Sequence, residues 1–332
     1  MYYTLRNYKS SDARNVVMML NTGRAEPCAL VDNAGNIRLI RYVPLSSNKV
    51  VIEDSLGKIV GYAYVTDKES SFIFEAGGGV HPDHRNKGIG SNLINWAQEE
   101  SLRLSQNAPL GVKCALQVNI FESEQETINI FEQKGFMKIR EWAHYSIHLK
   151  DAPIRPVMSN ELTIREFNLD DDEDWDLVVP VMEEAFKDHW GAYSLPPVES
   201  HKPEDDNNQR EIPEDLSFSN AQGYCFIAFI ENEVAGGILC NAKLVEVQNT
   251  GRVGSVFSHP KFRRRGVGRA LMFSAFNAFY QSGMHRIILD TDAQSFSESS
   301  KFYLSLGMSM YRREFLYEKE IRAGQEIRRL EK

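Results

Sequence analysis

The order of apolar and polar positions along the chain is one phrase written twice. Leu5-Arg6-Asn7-Tyr8 alternates as a short strand and runs into an acidic helix start at Ser11-Asp12, and Ile164-Arg165-Glu166-Phe167 does the same ahead of Asp170 to Asp174. Alternating segments at 49–52 and 59–65, separated by turn residues at 54–57, predict a hairpin, and 224–230 with 234–240, turning at 231–233, predict its counterpart. Each copy then carries an apolar strand that ends in His-Pro, as Val80-His81-Pro82 and as Phe257-Ser258-His259-Pro260. Helical periodicity follows at 91–100 and 269–280, then β-branched strands at 112–118 and 286–290. A second helix in each copy stops at glycine, in Ile130-Phe131-Glu132-Gln133-Lys134-Gly135 and in Phe302-Tyr303-Leu304-Ser305-Leu306-Gly307. Closing strands, roughly 139–149 and 309–321, complete each copy.

The proline-punctuated stretch Asp151-Ala152-Pro153-Ile154-Arg155-Pro156 breaks this periodicity. The expected organisation is an N-terminal domain over 1–150, a linker over 151–160 and a C-terminal domain over 161–332. Arg6 aligns with Arg165 at an offset of 159 residues, Gly61 with Gly236 at 175 and Arg85 with Arg263 at 178. The second copy therefore holds about sixteen extra residues between its first strand and its hairpin. They fall in a stretch containing Trp190-Gly191-Ala192-Tyr193-Ser194-Leu195-Pro196-Pro197, which reads either as specificity equipment or as a tolerated surface insertion.

A length of 332 residues, 42% hydrophobic and 25% charged, fits two soluble globular domains. The start Met1-Tyr2-Tyr3-Thr4-Leu5-Arg6 shows no leader pattern and no apolar run is long enough to span a bilayer, so a cytoplasmic protein without a membrane partner is expected. Cys28, Cys114, Cys225 and Cys240 lack metal or disulfide spacing and are expected to be buried thiols. His81-Pro82-Asp83-His84 is the one close histidine pair, and its proline argues against a metal site. The net charge of -8 is uneven: residues 1–150 hold 17 basic and 16 acidic residues, whereas 166–215 alone holds 3 and 17. Such a segment repels nucleic acid and would suit a cationic partner, if it is more than a solvated acidic loop.

The chemistry is concentrated in the repeated turn, Arg85-Asn86-Lys87-Gly88-Ile89-Gly90-Ser91 and Arg263-Arg264-Arg265-Gly266-Val267-Gly268-Arg269. A strand, a glycine-rich basic turn and a helix N-terminus together hold a pyrophosphate. Glycines let backbone amides approach it, the helix start offers unpaired N–H groups, and the cations add charge. No G-x-x-x-x-G-K-[ST] occurs, and neither turn has the G-x-G-x-x-G of a dinucleotide fold.

With these turns, the chain resembles the GNAT N-acetyltransferase superfamily, whose signature is Gln/Arg-x-x-Gly-x-Gly/Ala after a central strand. Both copies match, and the tandem arrangement is similar to the group related to mycothiol synthase. The stretch from Asp292 to Ser299, with Tyr303 and Gly307-Met308, resembles that group's second domain, departing from it at Ser295 and Ser299. The resemblance implies two tandem α/β (α+β) domains, each a mixed, mostly antiparallel sheet flanked by helices, and acetyl-CoA as cofactor. It implies cofactor contacts at Val80 and residues 85–91 in the first copy, and at Phe257, Ser258, residues 263–269 and Ser295 in the second. An amide near Phe257 would polarise the thioester carbonyl, while Ser295 and Ser297 could equally cap a helix.

Tyr303 stands where the superfamily places the acid that protonates the departing thiolate, although its spacing also fits packing with Phe302 and Leu306. The first copy has Phe131 there, so that domain is expected to be degenerate and the C-terminal one catalytic. Some members carry a basic glutamate six residues before the strand's last position. Counting back from Ser258 reaches Arg252 and from Val80 reaches Phe74, so neither copy presents it. Glu246, Asp292 and Asp188-His189 are the remaining candidates for the base. The expected activity is acetyl transfer to a primary amine of a small cationic molecule. The alternatives are a non-catalytic acyl-CoA-binding regulator and a peptide or protein N-acetyltransferase. The sequence leaves the oligomeric state open.

Overall fold

The computed structural model describes residues 2–23, 29–31, 37–39, 47–69, 71–154, 160–187, 189–190, 223–241, 249–294 and 299–328. The first half of the chain contains β1 (Thr4–Asn7), α1 (Ala13–Asn21), β2 (Ala29–Val31), β3 (Ile37–Leu39), β4 (Asn48–Glu53), β5 (Ile59–Glu69), β6 (Ile73–Val80), α2 (Ile89–Leu104), β7 (Cys114–Phe121), α3 (Gln125–Gln133) and β8 (Met137–His148). The second contains β9 (Leu162–Glu166), α4 (Asp172–Phe186), β10 (Phe226–Ile230), β11 (Glu233–Asn241), β12 (Thr250–Ser258), α5 (Val267–Gln281), β13 (Arg286–Asp292), α6 (Ser299–Ser305) and β14 (Ser309–Arg322).

These elements form two compact units, Met1–Glu141 with Glu314–Ile327, and Trp142–Arg313 with the C-terminal residues from Arg328. The first unit's sheet runs β1-β4-β5-β6-β7-β14, with β2 and β3 as a separate antiparallel pair, and the second's runs β8-β13-β12-β11-β10-β9. Each is antiparallel except for one parallel pair, β6 with β7 and β12 with β13. The sequence repeat predicts that 139–149 closes the first copy and 309–321 the second. The register exchanges them. β8 pairs with β13, from Trp142 opposite Asp292 to His148 opposite Arg286. β14 pairs with β7, from Glu314 opposite Phe121 to Arg322 opposite Cys114. Alternation within a strand fixes which side chains face inward but does not choose the edge that the strand completes.

The repeated sequence produces repeated local devices. Arg6 on β1 donates to both carboxylate oxygens of Asp12, at 2.7 and 3.0 Å, and Arg165 on β9 clasps Asp174 in the same two-pronged way. The carboxylates also accept the backbone N–H groups of Lys9 and Asn168, so each clasp ties the first strand to the start of its helix. The guanidinium bonds hold both carboxyls below the usual range. At the β10–β11 turn, Glu231 and Asn232 both have positive φ, as a two-residue hairpin turn demands. The helices α3 and α6 end alike: the N–H groups of Phe136 and Met308 bond to the carbonyls of Phe131 and Tyr303, past left-handed Gly135 and Gly307.

In the second unit, α5 buries Val267, Leu271, Ala275, Phe276 and Phe279 against the sheet. Each buried phenylalanine contributes about 1.5–3 kcal/mol relative to exposure. This packing fixes the helix whose N-terminus forms the candidate site. Cys114, Cys225 and Cys240 are buried thiols, with burial pushing Cys225 up to about 12, and Cys28 lies outside the described residues.

Candidate functional site

Each parallel pair opens into a gap above its glycine turn. β6 pairs with β7 from Ile73 opposite Ala115 only as far as Glu75 opposite Gln117. β12 pairs with β13 from Thr250 opposite Arg286 only as far as Arg252 opposite Ile288. Beyond those points, 76–80 and 253–258 run free of the ladder to their parallel partner. A backbone edge released in this way can pair with an extended amide-bearing ligand. In the first unit the gap is a cavity of about 610 Å³, bordered by Gly77, Gly78, Gly79, Asn119, Ile130 and Phe131.

Below each gap the His-Pro step is a turn-forming device. His81 Nδ1 accepts the N–H of Asp83 at 3.2 Å and His259 Nδ1 that of Lys261 at 3.1 Å, starting a single 3₁₀ turn. The chain then passes through left-handed Asn86 and Gly88, or Arg264 and Gly266, and enters the helix. The helices begin at Ile89 and Val267, two residues earlier than periodicity predicts, because the buried side chains of these residues anchor the first turn. Gly88 and Gly266, standing at the N-caps, bring no side chain to the first amides, which an anion can therefore take.

Four of the expected cations are held by protein groups. Arg263 donates to the Ala185 carbonyl at 3.2 Å, Arg265 pairs with Glu161 at 2.7 Å, and Arg269 donates to Ser305 Oγ at 2.8 Å. In the first unit Lys87 Nζ donates to the Asp83 carbonyl at 2.7 Å. Ser258 and Val80 end their strands, opposite Gly236 and Gly61, in agreement with the repeat offsets. The next pair differs between units. Tyr62 on β5 faces Gly79 in the first, whereas Gly237 on β11 faces Phe257 in the second. The aromatic ring has changed strands. Phe257 is buried, with its ring 6.1 Å from that of Phe186.

Tyr303, on α6, is 7% exposed, its ring 5.8 Å from Tyr145 and 5.3 Å from Phe302. Burial, then the negative charge of Asp290 and the neighbouring Tyr145, raise its phenol above the ordinary tyrosine range. Phe131, its counterpart, packs on Phe136 at 4.9 Å. Among the candidate bases, Asp292 Oδ1 accepts the N–H of Gln294 at 2.9 Å, and the His189 ring packs on Phe186 at 4.7 Å. Glu246, Asp188, Ser295 and Ser297 lie outside the described residues, as does the acidic segment over 191–215. Part of the acidic cluster serves the helix itself: Asp171 caps α4, Asp172 to Asp174 occupy its first turn, and Asp174 takes Arg165.

The sequence pattern reaches Arg252 only as the residue standing where a glutamate base would be, and it singles out neither Asp290 nor Glu75. Arg252 ends the β12–β13 ladder and pairs with Asp290, while Glu75 ends the β6–β7 ladder. A mixed sheet whose one parallel pair opens above a glycine turn and an uncapped helix N-terminus is the frame of an acyl-CoA N-acyltransferase domain, present here twice. Family models described as the acetyltransferase (GNAT) family and the acetyltransferase (GNAT) domain match residues 182–308 and 46–138. The chain belongs to the GNAT acetyltransferase family as a tandem protein. It is an acyl-CoA-dependent N-acetyltransferase whose cofactor is acetyl-CoA.

The chain is similar to the mycothiol acetyltransferase of Nocardiopsis dassonvillei, 22% identical over 311 residues, which cover 85% of this chain and 84% of that one. Its fold is similar to that of a GCN5-related N-acetyltransferase from Sphaerobacter thermophilus, with a TM-score of 0.77, 24% identity and 98% of each chain covered. It is also similar to a tandem GNAT protein from the clavulanic acid biosynthesis pathway, with a TM-score of 0.72, 16% identity, and 98% of this chain and 100% of that one covered. Among the described residues no helix is long and apolar enough to cross a membrane.

Proposed function

We propose that the second unit acetylates a primary amine of a small molecule, and that the first unit binds acyl-CoA without transferring its acyl group. The observation that carries this reading is the buried Tyr303 on α6, packed on Tyr145 of the strand beside β13, set against Phe131 at the matching place in the first unit. Bound acetyl-CoA supplies the acetyl group as a thioester. The uncapped start of α5, with Arg263, Arg264, Arg265 and Arg269 around it, holds the pyrophosphate, and Phe257 and Ser258 on the free edge of β12 orient the thioester. The neutral acceptor amine forms the new C–N bond as the C–S bond breaks, and the proton its nitrogen sheds passes to solvent, from which the phenol is later reprotonated. The Tyr303 phenol gives its proton to the departing sulfur. Because its pKa is raised, the phenol stays protonated until that moment. Ser295 belongs to the same proposed set.

The acidic composition of 166–215 favours an acceptor of net positive charge, and the protein is proposed to work in the cytoplasm. The non-catalytic role of the first unit is supported by its 610 Å³ cavity, which Arg85, Asn86 and Gly90 of the glycine turn line together with Phe131, a side chain without a phenol. Thiol release from acetyl-CoA with an amine panel tests the proposal. Tyr303→Phe is expected to lower kcat by about a hundredfold or more while coenzyme A affinity changes less than about twofold. Full turnover in that variant removes Tyr303 from its role.

A further inference from the structure

The lips of the two gaps carry different charges. In the first unit Glu75 is the last paired residue of β6, and Asn119 follows two residues beyond its partner Gln117 on β7. Glu75 accepts the Tyr64 hydroxyl at 3.5 Å and lies 3.7 Å from Lys68. In the second unit Arg252 takes the place of Glu75, and Asp290 that of Asn119. The carboxylate has thus moved to the other strand, and a guanidinium stands opposite it. Arg252 Nη2 meets Asp290 Oδ1 at 2.5 Å, with both side chains about one third exposed, at 35% and 34%.

This pair stands where the strands begin to part, since Arg252 is the last residue of β12 paired with β13 and Asp290 lies two residues beyond its partner Ile288. On β8, His144 lies directly opposite Asp290, and Tyr145, which packs on Tyr303, lies opposite Leu289. A carboxylate and a guanidinium therefore stand where the strands part, on the exposed face of β13, while Tyr303 packs with Tyr145 on the face of Leu289. A simple amine arriving there meets a cation beside its carboxylate partner, and a simple acid meets an anion. A group bearing both charges complements both side chains. The guanidinium has five N–H donors in a planar fork, more than one carboxylate oxygen consumes, and a carboxylate accepts at two oxygens.

We propose that Arg252 and Asp290 are the acceptor-recognition pair of the second unit. Asp290 receives the ammonium group to be acetylated, which gives up one proton to solvent before its nitrogen attacks, and Arg252 takes an acid group a few bonds away from it. The acceptor is then an amino acid or a molecule with an amino-acid-like end, whose net positive charge lies elsewhere. The inference rests on the second unit being the transferring one.

The test measures thiol release, and binding by titration calorimetry to coenzyme A-loaded protein, with a panel of amino acids and the corresponding decarboxylated amines. Acid-bearing acceptors are expected to exceed their decarboxylated counterparts by about tenfold or more in kcat/KM, the size of a good charge-assisted contact. Arg252→Met is expected to shrink that ratio several-fold, Arg252→Lys to restore part of it, and Asp290→Asn to weaken both classes. Equal preference for the decarboxylated amines overturns the assignment. So does an Arg252→Met variant that lowers both classes by the same factor, the behaviour of a pair that only braces two strands. If selectivity holds while Tyr303→Phe keeps full turnover, the acid is misassigned and the recognition pair stands. If disabling the 263–269 turn leaves turnover intact, transfer occurs in the first unit and the pair falls with that reading.

Discussion

At the scale of single residues, Tyr303 and Phe131 differ by one hydroxyl and occupy matching positions, each four residues before the glycine that ends its helix. That spacing made Tyr303 legible in the sequence, since the carbonyls of both residues anchor the same helix-ending bond. The equivalence of the charged residues that end the two parallel ladders was hidden. Counting back six residues reaches Arg252 from Ser258 but Phe74 from Val80, whereas the structural equivalent of Arg252 is Glu75. The register shift between Leu239 and Cys240, where β12 advances from Ser255 to Val253, accounts for the extra residue. A bulge of this kind sets two residues of β12 opposite one of β11, and which residue is the extra one shows only in the pairing. The raised phenol pKa sets a pH dependence. An acid that must be protonated keeps its activity until the pH approaches its pKa, so the basic limb of the kcat profile should be absent below pH of about 10. A fall centred near pH 8 or 9 that disappears in Tyr303→Phe would argue against this environment.

At the scale of elements, the paired clasps Arg6–Asp12 and Arg165–Asp174 fix how the first strand meets the first helix. Both Arg positions and the acidic helix starts were visible in sequence, but not that one carboxylate of each run is nearly buried and bound. Asp174 is 4% exposed, and charge-assisted bonds of this type contribute about 1.5–3 kcal/mol. Asp174→Asn should therefore lower stability at pH 7 by an amount of that order, measured by denaturant unfolding. Because the folded carboxyl has the lowered pKa, its contribution is present above the unfolded value of about 3.9 and is lost as pH falls through the folded one. The difference between wild type and variant should close below pH of about 4. The helix starts offer a second prediction. Gly266 has φ of 83° with no neighbour within 4 Å of a new Cβ, so Gly266→Ala costs backbone strain of about 1–2 kcal/mol without a clash. It should lower the thermal midpoint modestly and weaken coenzyme A binding at the second turn while sparing the first.

At the scale of the whole molecule, the repeat in sequence and the units in space do not coincide, because β8 and β14 each cross from one unit into the other. A fragment of residues 1–150 lacks Glu314–Arg322, the partner of β7, and should expose that strand as an open edge. Such a fragment should be poorly folded or aggregated by circular dichroism and size exclusion, and adding residues 314–327 through a linker should recover a folded unit. A stable monomer from 1–150 alone would show that β14 is dispensable. The chain by itself determined the repeat, the α/β class of both halves, the two glycine-rich basic turns and the unequal pair Tyr303 and Phe131. All of these are written in local spacing and in side-chain types. Only the tertiary structure decided which edge each closing strand completes, where each parallel ladder stops, and which charges meet at the gaps. Those outcomes depend on register and on partners distant in the chain, which local periodicity does not encode.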